Sequence, residues 1–157
     1  MKRILLAIDA INPDKNSLDF ACFLGRLNKS KVTGVFLKNL KTEEKPLVKI
    51  MQGSAYVERE IDENSDEYKT KIEQIKKNIA LFGEGCISRE VSYKTITFSE
   101  APAAQLIEES RFADLLVVDA ETSFNKHFEG PPTEFVKDVL KKAECPVIIA
   151  PERFEAI

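Results

Sequence analysis

Tryptophan is absent from these 157 residues, glycine occurs six times, cysteine three times and histidine once. Each scarcity removes a class of function. Without tryptophan, and with 23 basic residues outnumbered by 26 acids, the chain has no stacking platform for single strands and no electrostatic pull toward nucleic acid. A net charge of −3 is likewise no attraction to an anionic membrane surface. No apolar run approaches the ~18 residues that a membrane span needs. Met1-Lys2-Arg3 followed by Ile4 to Ile8 imitates a signal peptide, but Asp9 interrupts the apolar part below the ~7 residues of such a core. Cys22, Cys86 and Cys145 are odd in number, far apart in sequence and without metal-type spacing. They read as reduced, mostly buried thiols of a cytosolic protein.

What remains is ordinary for a globular domain: 43% hydrophobic and 31% charged residues in a length that fits one domain over 1–157. Ile4 to Ile8 is a continuous apolar run ending in Asp9, the pattern of a central strand covered on both faces. Asn12-Pro13-Asp14 is helix-start chemistry, and Leu18, Ala21, Cys22 and Gly25 follow at helical spacing. Val32 to Leu37 reads as a second strand, with Gly34 where a large neighbour packs closely. Residues 41–64 hold Pro46, Gly53 and many acids, and read as a variable surface connection. Ser65 is positioned to cap a helix whose stripe is Tyr68, Ile72, Ile75, Ile79 and Phe82, with Gly83 and Gly85 expected to end it.

Ile87, Val91, Tyr93 and Thr95 alternate with polar residues, as in a half-exposed edge strand. Ser99-Glu100-Ala101-Pro102 opens a third helix to about Arg111, and Leu115 to Val118 is another buried strand. Thr133 caps a last helix with Phe135, Val136, Val139, Leu140 and Ala143 inward, and Val147 to Ala150 closes the sheet. Strands alternating with helices predict an α/β, Rossmann-like three-layer domain with a parallel sheet and right-handed crossovers. The stretch from Asp114 to Pro151 has the shape of a phosphate-binding βαβ unit, yet its loop from Ala120 to Pro131 holds one glycine, Gly130.

Five segments in order carry a resemblance: Ile4-Leu5-Leu6-Ala7-Ile8-Asp9, Val35-Phe36-Leu37, Glu100-Ala101-Pro102-Ala103, Ala113 to Val118, and Cys145-Pro146-Val147-Ile148-Ile149. Together they resemble the universal stress protein (UspA-like) family over nearly the whole chain. The resemblance implies five parallel strands in the order 3-2-1-4-5, a cytoplasmic location, and homodimers built through the last strand. It places a ligand crevice at the switch point between strands 1 and 4. Asp9 would meet a nucleoside there, with Ala7, Leu37 and Val118 giving backbone or apolar contact. Asp9 as a turn cap and the other three as plain sheet core are the competing readings.

Nucleotide-binding members of that family carry Gly-x-x-Gly, nine residues, then Gly-Ser or Gly-Thr. In register here the glycines fall on Asp119, Thr122 and Pro132, and only the hydroxyl position, Thr133, survives. Glycine lets backbone N–H groups approach phosphate at a helix N-terminus, and Pro131 and Pro132 have no N–H to offer. At about 8 Å and an effective dielectric near 20, Asp119 would oppose each phosphate charge by roughly 2 kcal/mol. The expectation is a non-enzymatic regulatory or binding protein without tight ATP binding and without a required cofactor, working through dimerisation and contacts with a protein or small ligand. A protein that binds ATP or AMP with slow ATPase activity is the alternative, and a purely structural dimerisation module is a third.

Other constellations are weaker. Asp9, Asp119, Glu121 and His127 have no local spacing that supports a metal site. Ser88, Ser99 and Ser123 lack the glycine context of a nucleophile elbow. A phosphoacceptor receiver would want an acid cluster after strand one, where this chain has Asp9-Ala10.

Overall fold

The sheet is built on the two segments that are apolar on both faces. In the computed structural model, which describes residues 1–38, 66–98, 101–124 and 129–155, β1 (Arg3–Asp9) lies between β2 (Lys31–Leu37) and β4 (Leu115–Val118). β3 (Tyr93–Phe98) and β5 (Val147–Ile149) form the two edges. All pairings are parallel and the order is β3-β2-β1-β4-β5, as the family resemblance implies. Four helices complete the alternation: α1 (Lys15–Asn28), α2 (Asp66–Ser88), α3 (Pro102–Ser110) and α4 (Glu134–Lys142). Residues 41–64, Ser65, Ser99, Glu100 and His127, for which the sequence carries expectations, lie outside the described residues.

Two apolar clusters follow from the period-two alternation of the strands. Ile4, Leu6, Ile8 and Phe36 face α1 and α2, where Ala21, Cys22, Ile75 and Phe82 meet them. Leu5, Ala7, Val35 and Leu37 face α3 and α4, where Leu106, Val136 and Val139 meet them. The result is a three-layer sandwich with its core on both sides of β1.

Helix ends explain most of the remaining register. Asp14 caps α1 by accepting from the N–H groups of Asn16 and Ser17. Lys29, at φ 52°, ends it, with the Ser30 N–H donating to the Gly25 carbonyl at 2.8 Å. α2 does not stop at Gly83 and Gly85. A β-carbon on Gly83 would lie 2.8 Å from the Tyr93 hydroxyl, and one on Gly85 3.1 Å from Leu18 Cδ2. These glycines are places of close approach on a helix that runs on to Ser88, where Glu90 at φ 56° turns the chain. Ile87 therefore belongs to the last turn of α2, 65% exposed, and β3 begins only at Tyr93. On α4, Phe135, Val136 and Val139 are buried as expected, whereas Leu140 is 43% exposed and Ala143 falls just past the helix end.

Candidate functional site

The carboxyl ends of β1 and β4 deliver Asp9 and Asp119 to the same crevice, because adjacent parallel strands whose connections leave in opposite directions open a gap there. Asp9 Oδ1 accepts from the Ile11 N–H at 2.9 Å and the Asn12 N–H at 3.1 Å, holding the turn into α1. Asp119 Oδ1 accepts from the Glu121 N–H at 3.2 Å, and its carbonyl accepts from the Thr122 N–H at 3.2 Å. Thr122, buried, lends its carbonyl to the Thr133 hydroxyl, and Thr133 Oγ1 in turn accepts from the Val136 N–H at 3.3 Å as the cap of α4. Four of the eight predicted residues line this crevice, Ala7, Asp9, Asp119 and Thr122, while Thr133 is tied to it through the Thr122 carbonyl as the cap of α4 and Pro132 precedes that cap.

Leu37 and Val118 take their places in the sheet. Both are fully buried in the second apolar cluster. Their carbonyls are engaged within the fold, Leu37 with the Ala10 N–H at 3.1 Å and Val118 with the Ala150 N–H at 2.8 Å. The void that the crevice encloses is about 20 Å³, lined by Asp9, Asn12, Asp14, Ser17, Asp119 and Thr122 among others. That is room for about one water. Three carboxylates share its lining.

A residue that the sequence pattern did not single out occupies the first backbone donor of α4. Glu129 Oε2 accepts from the Glu134 N–H at 3.1 Å, at the first residue of α4, and from the Ser123 hydroxyl at 3.3 Å. A carboxylate of the chain itself thus sits on a donor that a phosphate would use. The Thr133 N–H is spent on the Ala120 carbonyl at 3.3 Å, and the Val136 N–H on the Thr133 side chain. Pro131 and Pro132, joined by a cis peptide bond, contribute no donor. Glu129 follows a stretch of mixed polar residues, so its only signal in the sequence was an acid five residues ahead of a helix start.

Phe124 packs edge-on against Phe135 with centroids 4.9 Å apart and belongs to the α3–α4 side, not to the crevice lining. Among the described residues no three His, Cys, Asp or Glu side chains are grouped to hold a metal ion.

Burial pushes the Asp9 carboxyl above the usual carboxylate range, with the Asn12 and Ile11 N–H groups pulling it back. Asp119 is also raised, by burial first, against the Glu121 N–H, and further by the charges of Asp14 and Glu121. A folded chain that holds a proton more firmly than the unfolded chain is stabilised where that proton is bound. The contribution is therefore present below the usual carboxylate value and is lost as pH rises through the raised one. Asp9→Asn keeps the acceptor for Ile11 and Asn12 without the buried charge. Its unfolding free energy relative to the parent chain is expected to increase between about pH 4 and pH 7, followed by urea denaturation. Curves that stay parallel across that range would refute the assignment.

Solved structures place this architecture. The universal stress protein from Archaeoglobus fulgidus in complex with dAMP superposes with a TM-score of 0.62 at 17% identity, covering 96% of this chain and 98% of that one. UspA from Lactobacillus plantarum gives 0.59 at 14% identity, over 96% and 97%. A universal stress protein family protein from Arabidopsis thaliana with AMP bound gives 0.58 at 17%, over 95% and 90%. No protein-family model matches the sequence, and no curated protein matches it. The likeness is carried by the backbone: this chain has the fold of the universal stress proteins.

Proposed function

We propose that this chain is a universal-stress-protein-like regulatory or binding protein, one domain over 1–157, that does not hold ATP tightly. The observation that carries this reading is the occupied N-terminus of α4. Glu129 takes the Glu134 N–H, the Thr133 side chain takes the Val136 N–H, and two prolines precede them. Beside them the crevice is narrow and lined by Asp9, Asp14 and Asp119, a lining that repels polyphosphate. Isothermal titration with Mg-ATP is expected to give no saturable heat at micromolar ligand. Micromolar binding would sink the reading.

A second reading, nucleotide binding at the same crevice, draws on the dAMP and AMP complexes of proteins with this fold. In it Asp9 would meet the nucleoside, and Ala7, Leu37, Val118, Asp119, Thr122, Pro132 and Thr133 would surround the ligand. Thermal-shift measurements with ATP, ADP and AMP separate the two readings. No shift at millimolar nucleotide would count decisively against the second.

Action through contacts requires a surface, and the β5 edge supplies one. Ile148 and Ile149 are each 38% exposed on a strand paired on one side only. A homodimer through β5, in the cytoplasm, completes the proposal. Among the described residues no helix is long and apolar enough to cross a membrane. Sedimentation velocity at micromolar protein is expected to show a dimer; a monomer throughout would remove this part of the proposal.

A further inference from the structure

Cys22 and Cys86 are separated by 64 positions in sequence, yet their sulfurs lie 4.0 Å apart, one on α1 and the other near the end of α2. Both are buried, at 1% and 0% exposure, in the cluster between these helices and the sheet. Burial alone would make them inert packing residues. Their surroundings differ from that of inert thiols in two respects. A surface cavity of about 330 Å³ reaches Cys22, bounded by Asp19, Phe23, Arg89 and Phe154. Arg89, ion-paired to Asp19 and donating to the Gly85 carbonyl at 2.8 Å, places a guanidinium on the wall of the same cavity.

We propose that Cys22 and Cys86 form a dithiol oxidation site whose substrate is hydrogen peroxide, and that oxidation closes an intramolecular disulfide tying α1 to α2. The sulfurs must approach by about 2 Å to reach bonding distance, a displacement within reach of side-chain rotation and a small shift of the helices. Hydrogen bonding from Cys86 lowers the Cys22 thiol, burial opposes this, and Arg89 favours the thiolate while Asp19 opposes it. The contact with Cys22 and burial raise the Cys86 thiol. Cys22, the sulfur that the surface cavity reaches, is the attacking one, and Cys86, which does not line that cavity, is the resolving one.

The Cys22 thiolate attacks one peroxide oxygen and the O–O bond breaks. The departing hydroxide takes a proton and leaves as water, and Cys22 becomes a sulfenic acid. Cys86 sulfur then attacks Cys22 sulfur, the S–O bond breaks, and the Cys86 proton goes to the leaving oxygen to form a second water. Two thiols lose two electrons in all, and one peroxide is reduced to two waters. Cys145, half-buried against the opposite face of the sheet, stands apart from this pair and serves as an internal control.

The test uses the full chain treated with hydrogen peroxide, quenched by alkylation in denaturant, and read by intact mass and a non-reducing peptide map. The expected result is a loss of two hydrogens per monomer, a Cys22–Cys86 linked peptide, and reversal by dithiothreitol. The Tm of the oxidised chain is expected to rise by on the order of 10 °C, because the new bond closes a long loop of the unfolded chain. The Cys145→Ser variant should behave identically. Cys86→Ser should leave Cys22 as a sulfenic acid that dimedone traps; should that variant not fold, the map of the parent chain decides alone. Recovery of Cys22 and Cys86 as free alkylated thiols once Cys145 has been oxidised, or links only between chains, would overturn the proposal.

Discussion

Replacing Phe82 by alanine is expected to lower the unfolding free energy by about 3–5 kcal/mol in urea denaturation. A typical domain has only ~5–15 kcal/mol in total, so the variant should be marginal at room temperature. The ring is buried on α2 and meets Phe36 edge-on at 5.6 Å and Tyr93 edge-on at 5.9 Å. It fits there because β2 presents Gly34 beneath it. A β-carbon at Gly34 would lie 2.7 Å from Phe82 Cζ, closer than packed carbons approach. Gly34→Ala should therefore destabilise by ~1–3 kcal/mol through overpacking. The two effects are coupled. In a Phe82→Leu background, which lacks Cζ, the Gly34→Ala penalty is expected to shrink by more than half. Equal penalties in both backgrounds would show that the ring does not rest on Gly34.

That pair also illustrates what a sequence discloses. Gly34 was legible because a glycine inside an otherwise β-branched and aromatic strand has few uses besides close approach. Gly83 and Gly85 were not, because a glycine near the end of a helical stripe has the same appearance whether it caps the helix or admits a neighbour. Only Tyr93 and Leu18, distant in sequence, decide between the two. The central strands were legible from their unbroken apolar runs, and the strand order from the family resemblance, which the topology matches. Leu140 and Ile87 carry the apolar signal of a core face yet stay exposed, since periodicity does not report how far the covering layer extends.

The site divides along the same line. Thr133 as a cap is readable from its place ahead of an amphipathic run, and an acid at the end of a strand fits a turn cap as well as a ligand contact, which leaves Asp9 open in the sequence. Glu129 was barely legible because an acid five residues ahead of a helix start does not disclose that its carboxylate reaches the Glu134 N–H. Cys22 and Cys86 were counted as scattered thiols because sequence separation conceals that parallel helices on one face of the sheet bring them together.

If the chain does not hold ATP tightly, as proposed, discharging Asp119 and Glu129 is expected to create that binding. The variant is Asp119→Asn with Glu129→Gln, which keeps the acceptor oxygens for the Glu121 and Glu134 N–H groups while discharging both sites. At about 8 Å and an effective dielectric near 20, each unit charge opposes a phosphate charge by roughly 2 kcal/mol. Relief from Asp119 alone is then worth about 30-fold in affinity. Glu129 adds a second effect: a neutral amide competes less strongly than a carboxylate for the helix N-terminus, so an incoming phosphate can displace it. The double variant should show a thermal shift with millimolar Mg-ATP under conditions where the parent shows none, and the gain should fall as salt is raised. Pro132→Gly added to it restores one N–H and should strengthen binding further. Charge and donors together, not the fold, would then account for the missing affinity. An unchanged response in the triple variant would place the obstacle elsewhere, in the narrowness of the crevice between Asp9 and Thr122.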